Sequence, residues 1–420
     1  MSRVSIIGAY NSKFGAFVER NRETGEVKDL KSFYELLIEA GRGAIQDSGL
    51  EAKEIDAVYV GTCSPSLFID QEHVAPLAVG IDDALRLKPM TRTEGACASS
   101  SLALYEGIYS IEAGRSRNVL VIGVEKMTLL DTKGVTHALA CCSYYPEEGA
   151  RGVTFPGLYA ELAKAYQSHY NIPELEFRRM LATVGALGYC NGAENPLAHF
   201  GPESGMVRQK LFTADAILNL PLEGKGSNVL IAPPLRIHDC SLVSDGAAAL
   251  VLTQTEFART LRRPFAEIAG IGHSEEHLPL SRRPSLHRLD AARDARDKAF
   301  REAGITLGQV DLAEVHDCFT INQLLCTEAL GLSEYGRAGY DYMDGRFTRA
   351  DRCPVNLSGG LKAKGHPVGA TGASMHAMLY QQLVGRPIGV APKKQPEVGV
   401  ALNVGGSGVT NCASVLRRQG

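Results

Sequence analysis

The sequence predicts an α/β protein made of two similar halves with a long segment inserted between them. Strand-like apolar runs alternate with amphipathic helices, and one helix–turn–strand unit recurs at a constant offset of 255 residues. Between the halves this alternation stops for about a hundred residues. With 420 residues, 45% hydrophobic residues and 44 glycines, the chain can bury a large core and form two domain-sized units.

Strands and helices alternate through the first half. Its predicted elements, in order, are a strand over 4–9, a helix over 30–48 ended by Gly49, a strand over 57–60 ending at Gly61, an extended run over 89–93, a helix opening near Cys97, and a strand over 118–124. The last strand is a continuous apolar run, which is typical of a central parallel strand covered on both faces.

The second half repeats this order. Residues 44–61 match residues 299–316 in apolar pattern, and a glycine and an aspartate recur at the same register. The match places Gly61 and His316 at equivalent strand ends and pairs Cys97 with residues 368–369. Because ligands of open α/β sheets bind at the carboxyl ends of strands, both halves should direct residues into one crevice.

The insertion runs from Asp131 to about Pro234. It contains helical patterns over 158–169 and 176–188 and Gly/Pro-rich connections such as 191–196. Insertions of this length usually carry binding function, which predicts a loop domain over the crevice. The predicted domains are therefore an N-terminal half (1–130), an inserted loop domain (131–234) and a C-terminal half (235–420).

Composition excludes several classes of protein. The net charge of −3 gives no global attraction to nucleic acids or acidic membranes. No apolar run reaches the roughly 20 residues that span a bilayer, and Met1 leads directly into the first strand. The ten cysteines are expected to be reduced thiols. We expect a cytoplasmic protein without a membrane anchor, and the C-terminal residues 417–420 are not a peroxisomal signal.

Cys97 is the strongest candidate nucleophile. It is flanked by small residues, follows the extended run and opens a helical pattern. Unpaired N–H groups and the positive end of the helix dipole favour a thiolate at such a position. The alternative is a buried structural cysteine.

Three further stretches have residues suited to catalysis. His316–Phe319 follows a predicted strand, His366 stands just before a helix within the glycine-rich run 356–372, and 403–408 is a glycine loop that can offer N–H groups to an oxyanion. Each also has a structural interpretation: packed polar residues, a turn-rich connector, or a strand that ends in glycine. The triplet His238–Cys240 repeats the letters of His316–Cys318, so the triplet alone is not diagnostic.

Together these stretches resemble the thiolases, with the motifs in that family's order along nearly the whole chain. Residues 95–99 resemble the nucleophile motif, and residues 244–249 resemble the segment linking the loop domain to the second half. His316 stands where common thiolases have asparagine, and Asn403 where they have a second catalytic cysteine. Both changes together resemble the sterol-carrier-protein type and archaeal-type thiolases. The resemblance implies a thiolase fold with five layers, α-β-α-β-α.

The resemblance also implies catalytic roles. Cys97 would attack the keto carbon of an acyl-CoA thioester with His366 as its base, and Cys318 would be the acid or base of the carbon–carbon step. His316 and His366 would hold the enolate oxygen. The N–H groups of Cys97 and Gly405 would hold the tetrahedral oxyanion. Coenzyme A is then a substrate, and no permanently bound cofactor is expected.

Coenzyme A would bind mainly to the loop domain. Ser241 is the one position that the resemblance assigns to this binding. Four basic residues are candidates for its phosphates or simply a solvated surface: Arg208, Lys210, Lys225 and Arg236. The family implies a homodimer or homotetramer. Some relatives of this subtype also bind a small zinc-ribbon and OB-fold protein, which the sequence does not decide.

Three other functions compete with the thiolase interpretation. One is a thiolase-fold acyltransferase or retro-aldol lyase for an unusual CoA ester, which the presence of Cys97, Cys318 and His366 disfavours. Another is a lipid-carrier or scaffold role, although little sequence follows the thiolase-like region. A metal site is disfavoured because neither His-Asp-Cys triplet has paired ligand spacing.

Overall fold

The structure is a computed structural model that describes residues 3–21, 23–205 and 207–420. Its strands are β1 (Val4–Asn11), β2 (Val18–Arg20), β3 (Val27–Asp29), β4 (Ala57–Gly61), β5 (Met90–Thr93), β6 (Asn118–Glu125), β7 (Leu230–Ala232), β8 (Leu235–Arg236), β9 (Gly246–Gln254), β10 (Phe265–Glu275), β11 (Leu312–Val315), β12 (Val398–Gly405) and β13 (Thr410–Gln419). Its α-helices are α1 (Phe33–Ser48), α2 (Pro65–Ile69), α3 (Ser99–Glu112), α4 (Thr132–Ala140), α5 (Phe155–His169), α6 (Glu174–Glu194), α7 (Ala214–Leu218), α8 (Thr255–Thr260), α9 (Asp290–Ala303), α10 (Thr320–Ala329), α11 (Ala338–Met343), α12 (Gly360–Lys364) and α13 (Thr371–Leu383).

Local sequence sets the helix ends. The helix predicted from residue 30 begins at Phe33, because the Ser32 hydroxyl accepts from the Glu35 N–H while the Glu35 carboxylate accepts from the Ser32 N–H. It ends at Gly49, which has φ +71°.

Within the described residues, nine strands form one sheet in the order β5-β4-β6-β9-β1-β10-β13-β12-β11. The antiparallel pair β1 and β10 joins the two halves, with Val4 opposite Ile268. Outward from that junction the first half has the order β1-β9-β6-β4-β5 and the second half β10-β13-β12-β11. Val355 forms a parallel bridge with Ala313 of β11, which is equivalent to the parallel pairing of β5 with β4. This repeated order confirms the predicted duplication.

Helices cover and separate the two parts of the sheet. Helix α1 lies on β1, β6 and β9, and α9 lies on β10 and β13. Helices α3 and α13 pack together between the two parts, where the Tyr105 hydroxyl donates to the Ala413 carbonyl at 2.8 Å. The buried core around them includes Leu104, Ile108, Val121, Leu252, Leu379, Tyr380 and Leu416. The resulting order of layers is α-β-α-β-α, as predicted.

The predicted insertion contains α4 to α7 and β7, which pairs with β8 just beyond the predicted boundary. The strand that follows it, β9, pairs with β1 and β6, so residues 246–254 extend the first half's part of the sheet. The segment 244–249 therefore leads into the first half rather than directly into the second. The domain division at 131 and 235 stays a prediction, and this pairing favours a second half that begins after Gln254. No helix of the described residues is long and apolar enough to cross a membrane.

Candidate active site

Cys97 lies in a tight turn between β5 and α3. The turn spans Ala96–Ala98, Ala96 has φ +50°, and the Ala96 carbonyl accepts from the Ser99 hydroxyl at 2.6 Å. A Cβ at Gly61 would lie 2.3 Å from the Cα of Ser100, so the start of α3 is packed directly on β4. The cysteine is thereby held at the carboxyl end of the sheet.

Burial dominates the chemistry of the Cys97 thiol. The residue is 6% exposed and lines a cavity of about 400 Å³. Burial raises the pKa of Cys97 well above its usual value, the thiols of Cys318 and Cys142 raise it further, and an N–H from Gly406 opposes them. The predicted preference for a thiolate at the helix start is therefore wrong for the resting site. Cys97 rests as a thiol and needs a base.

Two histidines lie beside this thiol. Cys97 Sγ and one ring nitrogen each of His316 and His366 all lie within 4.8 Å of one another. The two rings are perpendicular, at 86°, with centroids 5.1 Å apart. Cys318 lines the same cavity as Cys97 and His366. Motifs far apart in sequence thus meet at one point.

Thr371 orients His366. The Thr371 hydroxyl donates to the Pro367 carbonyl at 3.1 Å, so it accepts from His366 Nδ1–H at 2.7 Å. Burial, followed by the charge of Lys364, lowers the pKa of His366 to about 3. His366 is therefore neutral, with a free lone pair on Nε2 that suits a general base.

Asn403 orients His316 in the opposite sense. Asn403 Nδ2 donates to the Cys97 carbonyl at 3.2 Å and contacts His316 Nδ1 at 3.0 Å. A carbonyl can only accept, so this atom is the amide nitrogen and His316 Nδ1 must accept from it. Asn403 Oδ1 in turn accepts from the Ser101 hydroxyl at 2.8 Å.

The proton of neutral His316 is consequently on Nε2. Burial, followed by His366, lowers the pKa of His316 well below its usual value, so the ring is uncharged. Nε2 is buried and has no hydrogen-bond partner in the described residues. His316 is 0% exposed and does not itself line the cavity, so its open N–H can donate only to an oxygen that enters beyond the present cavity wall. The two histidines thus offer one donor and one acceptor.

Cys318 follows β11, and two contacts hold its surroundings. Burial raises the pKa of Cys318 well above its usual value. The Tyr159 hydroxyl donates to the Gly406 carbonyl at 3.0 Å, and its ring stacks on Phe319 at 4.4 Å. A neutral thiol is the resting form, as a general acid requires.

The neighbouring Asp317 anchors the same turn to α12. Its carboxylate accepts from the N–H groups of Leu361 at 2.6 Å and Lys362 at 3.3 Å. Burial raises the pKa of Asp317 to about 7. This carboxylate is therefore a structural link between the motifs of Cys318 and His366.

The predicted coenzyme A residue Ser241 lines the cavity. Its N–H donates to the Cys318 carbonyl at 2.8 Å. Nearby, Cys240 forms an isolated β-bridge with Phe319, and Val243 forms one with His366. None of the four basic candidates lines this cavity in the described part of the chain: Arg208, Lys210, Lys225 and Arg236. Arg20, which the sequence did not suggest, does line it.

The glycine loop after β12 contributes Gly406. It lines the cavity and places its N–H at the Cys97 sulfur, whereas the Cα of Gly405 faces the Gly95 carbonyl oxygen. Gly405 as an oxyanion donor remains a prediction. His238, from the triplet that repeats the letters of His316–Cys318, lines a second cavity instead.

Cys97, His316 and His366 are also close enough to bind a metal ion together. The hydrogen bonds oppose this, because Asn403 occupies His316 Nδ1 and the ring's other nitrogen carries its proton. The absence of a metal from the working site remains a prediction.

Known proteins match the chain along its length. The family models for the thiolase N-terminal domain and the thiolase C-terminal domain-like region match residues 4–201 and 272–418. An acetyl-CoA acetyltransferase of Methanothermobacter thermautotrophicus is 38% identical over 422 residues, covering 100% of both chains. The chain belongs to the thiolase family. It is an enzyme, a thiolase-type acyltransferase, as the sequence predicts.

Other thiolase relatives agree with the predicted subtype. Sterol carrier protein 2 of Oryctolagus cuniculus is 26% identical, over 96% of this chain and 69% of its own length. Among solved structures, the Ltp2-ChsH2(DUF35) aldolase has a TM-score of 0.79 at 21% identity, covering 99% of this chain and 97% of that chain. Human mitochondrial 3-ketoacyl-CoA thiolase in complex with CoA has a TM-score of 0.68 at 17% identity, covering 100% and 98%. These structures show the thiolase fold.

Proposed function

We propose that this enzyme transfers acyl groups of CoA thioesters through an acyl intermediate on Cys97. It would cleave 3-ketoacyl-CoA with coenzyme A, or join two acyl-CoA units in the reverse direction. The supporting observation is the convergence of the Cys97 thiol and the His316 and His366 imidazoles within 4.8 Å. The names of the relatives at 38% and 37% identity, both acetyl-CoA acetyltransferases, favour acetyl-CoA as one substrate.

In the first step His366 Nε2 takes the proton of Cys97, and the thiolate attacks the keto carbon. The oxyanion is held by the N–H groups of Cys97 and Gly405, and the geometry adds Gly406 as a third candidate donor. Since burial raises the pKa of the thiol, this proton transfer is unfavourable until substrate arrives.

In the second step the carbon–carbon bond breaks, leaving an acyl-Cys97 thioester and the enolate of acetyl-CoA. His316 Nε2–H and the protonated His366 hold the enolate oxygen, and the Cys318 thiol protonates its carbon. Coenzyme A then gives its thiol proton to the Cys318 thiolate and attacks the acyl-Cys97, and the leaving Cys97 sulfur takes its proton back from His366. In condensation, Cys318 as thiolate removes the α-proton instead.

The cavity fits a thioester substrate. Its lining is largely apolar, and Arg20 is its only Lys, Arg, Asp or Glu among the described residues. We propose that Ser241 and Arg20 contact coenzyme A, which acts as a substrate and not as a permanent cofactor. The acyl chain would occupy the apolar part near Val135 and Leu139.

We further propose a cytoplasmic homo-oligomer. All ten cysteines are free, including Cys63 and Cys142, whose sulfurs are 3.3 Å apart. Strand β5 lies at the edge of the sheet and has no strand on its outer side in the described residues, so a second copy could pair there. The aldolase of similar structure carries a DUF35 component in its name, which supports testing this enzyme for a small partner protein.

The deciding experiment measures coenzyme-A-dependent turnover over a ladder of 3-ketoacyl-CoA chain lengths, starting from acetoacetyl-CoA. Intact-mass spectrometry should show an acyl adduct that depends on Cys97. Cleavage of a 3-hydroxyacyl-CoA to a carbonyl compound and an acyl-CoA, without coenzyme A consumption and without an adduct, would indicate a retro-aldol lyase. Tight lipid binding without turnover would indicate a carrier.

A further inference from the structure

A second cavity lies beside the catalytic one and shares none of its catalytic residues. It measures about 340 Å³, and Cys240 and Leu242 line both cavities. Its walls come from α6, the loop 224–229 and α12. Lys362 is its only Lys, Arg, Asp or Glu among the described residues.

Lys362 carries an unusual buried charge. It is 2% exposed, and no carboxylate of the described residues forms an ion pair with it. Its Nζ donates to the Tyr189 hydroxyl at 2.8 Å and lies 4.4 Å from the Tyr189 ring centroid and 5.8 Å from that of Phe200. Aromatic rings offset part of the cost of burying an ammonium group, but they leave its charge unneutralised.

The carboxylate next to His238 is already paired. Asp239, next to His238, binds Arg178 at 2.8 Å and accepts from the Arg236 N–H at 2.8 Å. It is 1% exposed and does not line the cavity. Lys362 therefore faces a cavity that contains positive charge and lacks a counter-ion.

His238 adds a second donor. Tyr189 accepts from Lys362, so its own hydroxyl proton points to His238 Nδ1 at 2.8 Å. Burial, followed by Lys362, lowers the pKa of His238 to about 4, so the ring is neutral with its proton on Nε2. Lys362 keeps N–H groups beyond the one it gives to Tyr189.

The loop over the cavity is suited to a close approach by a ligand. Gly224 and Gly226 have φ values of +91° and +77°, and nothing lies within 4 Å of a Cβ built on either. Ser227 also lines the cavity.

We propose that this second cavity binds the phosphate group of an organic phosphate, with Lys362 as counter-ion and His238 as hydrogen-bond donor. The volume exceeds that of phosphate alone, so part of the organic group also fits. Two sources share this chemistry: the nucleotide end of coenzyme A, and a separate phosphorylated metabolite. The site goes beyond acyl transfer, because its phosphate binding needs no catalytic residue.

The test is calorimetric titration of the full chain with inorganic phosphate and with adenosine 3′,5′-bisphosphate. Wild type should bind both saturably, and Lys362→Met should lower the affinity at least about 10-fold. The exposed Lys394→Met changes the net charge equally and should bind as wild type does. A wild type without saturable binding, or a folded Lys362→Met that binds equally well, overturns the proposal.

Melting curves in phosphate-free buffer test whether Lys362 serves only to stabilise the fold. Methionine replaces an unpaired buried ammonium by an apolar chain of similar length, so the Tm of Lys362→Met should not fall. If that variant does not fold, Tyr189→Phe carries the test. It keeps the ring and removes the hydroxyl that orients Lys362 and His238, and an unchanged phosphate affinity would then overturn the proposal.

The source of the phosphate follows from competition. If coenzyme A supplies it, the bisphosphate competes with acetyl-CoA, and Lys362→Met raises the KM for acetyl-CoA with kcat unchanged. If a separate metabolite does, the bisphosphate binds equally well at saturating acetyl-CoA. Phosphate binding is measured without turnover, so its failure is distinguishable from failure of the acyl-transfer proposal.

Discussion

Asn403 Nδ2 donates to His316 Nδ1 at 3.0 Å, and this bond fixes which nitrogen of His316 carries the proton. The same amide also holds the carbonyl of Cys97. One side chain on β12 therefore ties the nucleophile's turn to the residue proposed to hold the enolate. At a position where common thiolases are expected to carry a catalytic cysteine, this chain carries a residue that orients another.

Replacing this amide should slow the reaction without abolishing acylation. In Asn403→Asp the carboxylate favours a proton on His316 Nδ1. Nε2 then has no proton to donate to the enolate oxygen, so we expect kcat for acetoacetyl-CoA thiolysis to fall about 10²-fold. KM should change little. Ser101→Ala removes only the contact to Oδ1 and should cost less. Equal losses in both variants would show that Asn403 acts through packing alone.

Cys97→Ser should abolish the acyl-enzyme, because a hydroxyl ionises far less readily than a thiol. Intact-mass spectrometry after mixing with acetyl-CoA measures the adduct. The exposed Cys141→Ser is the matched control and should acylate normally. An adduct of undiminished yield in the Cys97 variant would place the nucleophile elsewhere.

Cys318→Ala should separate the two chemical steps. Acylation of Cys97 by acetyl-CoA should persist, while thiolysis and condensation slow by about 10² to 10⁴, the usual contribution of a general acid or base. The control is Cys353→Ala, which removes another buried thiol that does not line the cavity. If both steps slow equally, Cys318 has a structural role.

The pH dependence of acylation should depend on the positive charge of Lys364, because that charge lowers the pKa of His366. Burial and then the Lys364 charge lower the pKa of His366 to about 3, so the base stays neutral from about pH 5 to about pH 8. Lys364→Met removes a neighbouring positive charge, which raises the pKa of His366 and moves the acid limb of the acylation rate to higher pH. The limb should not move in Lys394→Met. An acid limb unchanged in Lys364→Met would show that His366 is not the base.

Gly372→Ala should disturb the contact between the two central helices. Its Cβ would lie 2.5 Å from the Ser101 N and 2.7 Å from Asn403 Oδ1. We expect about 1 to 3 kcal/mol of lost stability in urea unfolding, with reduced kcat. In Gly107→Ala the nearest atom is the flexible Leu252 Cδ1 at 3.0 Å, so that control should lose less. Equal stability of both variants would contradict tight packing at Gly372.

The convergence of the motifs was predictable from sequence because it depends on topology. Cys97 and His316 follow strands whose carboxyl ends meet at one edge of the sheet. His366 could be placed because residues 368–369 mirror Cys97 in the repeat. These inferences need only the order of elements and the period of the repeat.

The orientation of the groups was not predictable, because it depends on contacts between distant residues. The proton on His316 Nε2 requires Asn403, and the surroundings of Cys318 require Tyr159 from the insertion, which no sequence pattern linked to the site. A buried asparagine in the otherwise apolar β12 was the one available signal. The thiolate prediction for Cys97 was wrong because burial outweighs the helix start.

Every residue from 353 to 380 is buried, although this stretch contains lysines and histidines. A mutational library targeted there would meet packed neighbours at each position and mostly yield inactive clones. The catalytic cavity is also lined by Val135, Leu139, Phe155 and Val243, which lie in segments with partly exposed neighbours. Directed evolution of acyl-chain preference should therefore find its successful changes in those segments and leave the 353–380 stretch untouched.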